Sequence, residues 1–142
     1  MLIISLSLVT GVMLVSGCAE KVVESPNQEA LTPLIEDISP QEASNLIQEN
    51  HDNPDFVIID VRTPEEFVNS HIENAINIDF RSESFKESIN KLDKSKTYLV
   101  YCRTANRSRS AINIMEKLDF ENIYHMLGGI TQWEAAGFPI TK

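Results

Sequence analysis

Tyr98-Leu99-Val100-Tyr101-Cys102-Arg103-Thr104-Ala105-Asn106-Arg107-Ser108 decides how the whole chain is read. A short apolar run ends at a cysteine, and a compact loop carrying two arginines follows. From Arg109 onward, Ala111, Ile112, Met115 and Leu118 recur at helical spacing, so the loop is expected to open into an amphipathic helix. A strand that turns tightly into a helix directs free N–H groups and the positive end of the helix dipole back at the turn. Cys102 closes the strand inside that field. Such a field favours the thiolate, the nucleophilic form of cysteine.

A cysteine at a strand end is also common as inert packing, because free cysteine is among the most buried residue types. The flanking residues argue against packing alone, since guanidinium groups crowded beside a core residue without partners are costly. The chain carries a formal net charge of −9, yet Arg103, Arg107 and Arg109 fall within seven positions and no acid separates them. An anionic ligand at this loop is the expectation.

Around the loop, strands and helices alternate. Ser39-Pro40-Gln41-Glu42 has the pattern of a capping box with proline at the first helical position, and its helix runs to about Gln48. Phe56-Val57-Ile58-Ile59 is an unbroken apolar run, as expected of a strand buried on both faces, and it stops at Asp60. Thr63-Pro64-Glu65-Glu66 repeats the cap pattern. Ala75 to Ile78 is a shorter strand, Ser84 to Leu92 an amphipathic helix, and Asn122 to Met126 the last strand. Leu127-Gly128-Gly129 breaks into a final helix through Trp133, which is expected in the core. Alternation of this kind gives a parallel α/β sheet covered on both faces, with ligands at the carboxyl ends of the strands. Asp60 and Cys102 both end strands and should share one rim. Asp60 and Arg62 are read as structural members of that rim, because a carboxylate beside Cys102 would oppose its thiolate.

The chain's 142 residues suit one domain, and 42% hydrophobic with 23% charged residues is ordinary for a globular protein. Its acidity argues against non-specific nucleic-acid binding, which needs a basic face. His71 has no histidine or cysteine at metal spacing, so no metal site is expected, and neither His51 nor His125 is supported as a general base.

Three motifs together resemble the single-domain rhodanese-like sulfurtransferases. Cys102 to Ser108 resembles the active-site loop of that family. Asp60-Val61-Arg62-Thr63-Pro64-Glu65-Glu66-Phe67 with His71-Ile72 resembles its N-terminal signature. Gly128-Gly129-Ile130-Thr131-Gln132-Trp133 followed by Gly137-Phe138-Pro139 resembles its C-terminal one. The resemblance implies a rhodanese-like α/β domain over residues 37–142, with a parallel sheet of about five strands and helices on both faces. It implies sulfur transfer through a persulfide on Cys102, without a cofactor, and with Arg103, Thr104, Ala105, Asn106, Arg107 and Ser108 binding the donor. The partners implied are a small-molecule sulfur donor and a thiol acceptor or thiol-carrying protein.

Two departures stand out. Ala105 occupies a position where the family often has glycine, which tolerates positive φ at no steric cost. Ser70, Glu73 and Asn74 replace frequent glycine and proline around His71. Two other functions stay open: a non-catalytic or low-activity sulfur-binding module, and a phosphatase or arsenate reductase. Phosphate-binding cysteine loops of related folds place five residues between cysteine and arginine, whereas four lie between Cys102 and Arg107.

The chain's beginning has a separate reading. Met1 to Gly17 is uncharged and apolar, and Leu14-Val15-Ser16-Gly17-Cys18 resembles a bacterial lipobox, although no basic residue precedes it. Residues 1–17 are expected to be a lipoprotein-type signal, Cys18 the lipidated residue, and residues 18–36 a lipidated N-terminus and flexible tether. The domain would then lie in the cell envelope, lipid-anchored to the extracytoplasmic side of a membrane. With Cys18 assigned to lipid, Cys102 has no disulfide partner.

Overall fold

The computed structural model describes residues 33–142, and the signal segment, Cys18 and most of the tether lie outside the described residues. Five strands form one parallel sheet: β1 (Leu34–Ile38), β2 (Phe56–Asp60), β3 (Ile76–Asn77), β4 (Thr97–Tyr101) and β5 (Asn122–Met126). Their spatial order is β1-β5-β4-β2-β3. The helices are α1 (Pro40–Glu49), α2 (Pro64–Asn69), α3 (Phe85–Asn90), α4 (Asn106–Glu116) and α5 (Gly129–Ala135).

Both capping boxes form as their sequences imply. Glu42 accepts from the Ser39 N–H at 2.8 Å, and Glu66 from the Thr63 N–H at 3.1 Å. Strand alternation then divides the core. Val100 and Cys102 pack with Ile59, Ile89, Ala111 and Met115 on the α3/α4 face of the sheet. Leu99 and Tyr101 pack with Ile58, Ala43, Ile130 and Trp133 on the α1/α5 face. Ile58 pairs with Leu99 and Ile59 with Val100, so neighbouring strands present the same parity to each face. That parity assigns Cys102 to the side on which α4 lies.

Two expectations need correction. Leu34, Ile35 and Glu36 were expected in the tether, but they begin β1, which pairs in parallel with β5 from Leu34↔Asn122 to Ile38↔Met126. An edge strand needs only one neighbour and leaves most of its side chains exposed, so Glu36 and Asp37 are compatible with it. The last helix-bearing loop is also shorter than expected: α4 starts at Asn106 rather than Arg109. Ala105 makes the difference, because its φ of 77° turns the chain into the helix within one residue. The position is one that glycine would occupy without strain, as the family's frequent glycine there implies.

Candidate active site

The carboxyl ends of β2 and β4 bring Asp60 and Cys102 to the same rim, beside the point where the chain's crossovers change direction. The two sides of this rim are built differently.

Asp60 and Arg62 form a buried brace. The Arg62 guanidinium donates to Asp60 through Nε at 2.9 Å and Nη2 at 2.7 Å, and its backbone N–H donates to the same carboxylate at 2.9 Å. Nη2 also donates to the Ser70 carbonyl, which ties the β2 end to the exit of α2. The Arg62 N–H, Nε and Nη2 donors are all spent on Asp60 and Ser70, in keeping with a structural reading of both residues. His71 makes a structural contact as well, with Nδ1 3.0 Å from the Phe67 carbonyl oxygen and its ring stacked on Phe67.

The cysteine loop is the opposite case. Among the described residues, no backbone N–H from Arg103 to Ser108 donates a hydrogen bond to another protein group. The Cys102 and Arg103 carbonyls, by contrast, accept from the Ile130 N–H at 2.9 Å and the Thr131 N–H at 3.1 Å. The first turn of α5 therefore holds the base of the loop while its N–H groups stay available for an anion. Gly129 permits this approach, because a Cβ there would lie 2.4 Å from the Cys102 carbonyl oxygen.

A cleft of about 660 Å³ opens over the loop, lined by Arg103, Thr104, Asn106 and Arg107 on one side and Thr63, Glu65, Glu66 and Asn69 on the other, with Arg81 completing it. Ala105 and Ser108, expected to bind the donor, do not line this cleft. Ser108 is fully buried, with Oγ 3.4 Å from Cys102 Sγ. Cys102 is 1% exposed, so a reactant would have to reach it through the loop rather than meet a surface thiol. Trp133 does not wall the cleft either. It is buried, and its indole N–H donates to the Pro139 carbonyl at 2.9 Å.

The arginine cluster dissolves on inspection of its partners. Arg107 makes a two-pronged pair with Glu66, at 2.6 and 2.8 Å, and Arg109 pairs with Asp37. Arg107, expected to help bind the donor, lines the cleft with its guanidinium already paired to Glu66. Among the described residues, Arg103 and Arg81 line the cleft without an ion pair. Sequence reasoning missed Arg81, although its place just past a strand's carboxyl end was a signal of the same kind as that of Asp60 and Cys102.

The Arg107 guanidinium holds the Glu66 carboxyl down at about 2, against 4.5 for an ordinary glutamate. A depressed carboxylate stabilises the fold fully above the unfolded value, and that contribution is lost as pH falls from about 4.5 towards 2. Glu66→Gln keeps a capping acceptor but removes the charge. At neutral pH it should cost roughly 1–3 kcal/mol, the range for a charge-assisted hydrogen-bonded pair. Urea unfolding at several pH values checks this. The deficit should shrink on acidification, and a deficit that stays constant down to pH about 2 would contradict the pairing.

The comparisons with known proteins agree with this architecture. A family model described as a rhodanese-like domain matches residues 39–136. An uncharacterised protein of Synechocystis is 31% identical over 100 residues, covering 70% of this chain but only 55% of the relative. The thiosulfate sulfurtransferase GlpE of Coxiella burnetii is 33% identical over 98 residues, covering 69% of this chain and 86% of that protein. The crystal structure of a rhodanese-related protein from Thermoplasma volcanium superposes with a TM-score of 0.62 at 29% identity, over 75% of this chain and 97% of the other. With three motifs in order, a parallel five-stranded sheet and a cysteine loop at its rim, the chain belongs to the rhodanese-like domain family.

Proposed function

We propose that the chain is a sulfurtransferase that accepts sulfane sulfur from a donor such as thiosulfate on Cys102 and passes it to cyanide, a thiol or a thiol-carrying protein. The observation that supports this most is the run of N–H groups from Arg103 to Ser108 next to the cysteine that have no partner among the described residues. In the reaction the Cys102 thiolate attacks the outer sulfur of the donor, the donor's S–S bond breaks, and sulfite leaves with the bonding pair. The persulfide is an anion of one sulfur atom's width, and the loop N–H groups stabilise it without reorganising. Arg103 and Arg81 draw the anionic donor into the cleft.

The ring between Cys102 and Arg107 has four intervening residues, which suits a sulfur atom better than a tetrahedral phosphoryl group. Mass spectrometry of the Cys102 peptide after thiosulfate treatment tests the reading, and one added sulfur atom is expected. Hydrolysis of aryl phosphates by a protein that takes no sulfur from thiosulfate would instead favour the phosphatase.

The proposal extends to the start of the chain, with residues 1–17 as a lipoprotein-type signal and Cys18 as the lipidated residue of an envelope protein. The support is the lipobox-like sequence. Among the described residues no helix is long and apolar enough to cross a membrane. The wild type should partition into detergent after cleavage before Cys18, whereas Cys18→Ala should remain an uncleaved precursor. Full-length wild type recovered from the aqueous phase would contradict this reading.

A further inference from the structure

One buried titratable group has no part in the reaction as described. His125 of β5 is 1% exposed, and both of its ring nitrogens are engaged. Nδ1 lies 3.1 Å from Asp37 Oδ1, and Nε2 lies 2.8 Å from Ser108 Oγ. Ser108 Oγ in turn lies 3.4 Å from Cys102 Sγ. Side chains from β1, β5, α4 and the end of β4 thus form one line from the reactive sulfur to a carboxylate that is 42% exposed.

The direction of each hydrogen bond follows from the donors available. Arg109 holds the Asp37 carboxyl below the usual range, so Asp37 is an ionised acceptor and Nδ1 must carry the proton. Burial pushes the His125 imidazole down, towards the neutral ring, which leaves Nε2 a bare acceptor. Ser108 has one O–H, and its nearest acceptor is Nε2. The Ala105 carbonyl at 3.0 Å and Cys102 Sγ at 3.4 Å are also within reach of this O–H, and Nε2 at 2.8 Å is the closest of the three. With the Ser108 O–H donating to Nε2, Oγ accepts from the thiol S–H, and once the cysteine is ionised the same O–H can donate to Sγ. The groups facing His125 are therefore Asp37, Ser108, the Ala105 carbonyl and the Arg109 cation, the last being the one that opposes a positive ring.

We propose that Ser108 relays the Cys102 proton to His125, which Asp37 orients, so that the thiol ionises without releasing its proton to the substrate cleft. The Sγ–H bond breaks as Ser108 Oγ takes that proton and hands its own to His125 Nε2. The products are a thiolate and an imidazolium that keeps its Nδ1–H on Asp37. The thiolate pair forms the new S–S bond, and the pair of the donor's old S–S bond leaves with sulfite, so no outside oxidant or reductant is needed. When the acceptor removes the outer sulfur, the Sγ–S pair returns to Cys102 and the proton comes back by the same route. Ser108 touches the reacting atom, and His125 and Asp37 act through it as positioning residues. The proposal rests on the sulfurtransferase reading for its chemistry, but its test does not.

The test is site-resolved alkylation of Cys102 in the full chain with iodoacetamide, read by peptide mass spectrometry across pH, for the wild type, Ser108→Ala, His125→Gln and Asp37→Asn. His125→Gln keeps an amide within reach of Ser108 but cannot take a proton, and thermal melts identify any variant that has not folded. Both Ser108→Ala and His125→Gln should move the alkylation midpoint up by about one pH unit or more, a tenfold loss of thiolate at fixed pH below the midpoint. Asp37→Asn should move it less, in the same direction. Loading of Cys102 from thiosulfate should slow about tenfold at neutral pH and recover at alkaline pH. Midpoints that stay in place while rates fall at every pH would overturn the relay, whichever of the two inner variants folds. A shifted midpoint in a protein that takes no sulfur from thiosulfate would leave the relay standing and remove the sulfurtransferase reading instead.

Discussion

Cys102→Ser should abolish transfer of sulfur from thiosulfate to cyanide, with a fall in kcat/KM of at least about a thousandfold, the scale seen when a covalent nucleophile is removed. The substitution exchanges a single heavy atom at a site that is 1% exposed, so the fold and the cleft stay as they are. Arg103, Arg81 and the free loop N–H groups remain, and the donor should still bind. What disappears is the sulfur nucleophile, the group able to carry sulfur as a persulfide. The variant's Cys102-equivalent peptide should show no added sulfur after thiosulfate, and its melting temperature should stay within a few degrees of wild type. More than about a tenth of wild-type turnover in the variant would place the reaction on another group.

Gly129→Ala should be the most damaging small substitution outside the cysteine. Gly129 has φ +58°, where an alanine is strained, and its new Cβ would lie 2.4 Å from the Cys102 carbonyl oxygen and 2.6 Å from the Arg103 carbonyl carbon. Both contacts are with backbone, which cannot rotate away as a side chain can. Relief requires α5 and the loop to separate, at the expense of the Ile130 and Thr131 hydrogen bonds to those carbonyls. Strain and overpacking together should cost roughly 3 kcal/mol or more, a drop in Tm of about 10 °C or greater, with activity falling further because the loop is displaced. Gly137→Ala is the control. Gly137 has φ +80° but nothing within 4 Å of a Cβ, so it carries the backbone strain without the collision. Equal losses of stability in the two variants would show that the contact with the cysteine loop is not what requires glycine at position 129.

Much of the site's scaffold was legible without coordinates because it is local. The caps at Ser39 and Thr63 join residues three apart, and a helix entry of that kind forms wherever the pattern occurs. The buried strands around Phe56 and Tyr98 announce themselves as apolar runs, and Cys102 follows at the end of one of them. The left-handed turn at Ala105 sits where the family's glycine habit implied it. Local patterning failed at β1, which pairs on one side only and so lacks a buried strand's signature, and at the start of α4, which Ala105 moves forward to Asn106.

By itself, then, the sequence determined the alternation of elements, the rim that carries Asp60 and Cys102, and the loop of N–H groups after the cysteine. Tertiary structure alone decided which charges are free. Arg107 meets Glu66 across 41 positions, Arg109 meets Asp37 across 72, and His125 meets Asp37 across 88. A linear reading can count arginines beside a cysteine, but whether a guanidinium awaits a substrate or already holds a carboxylate depends on which strands become neighbours. Parallel pairing of β1 with β5 puts Asp37 beside His125, and α2 brings Glu66 to Arg107. Among the described residues, those long-range encounters leave Arg103 and Arg81 as the cleft's unpaired cations and bring Ser108 between Cys102 and a buried histidine, because Coulomb and hydrogen-bond partners are chosen by distance in space and not along the chain.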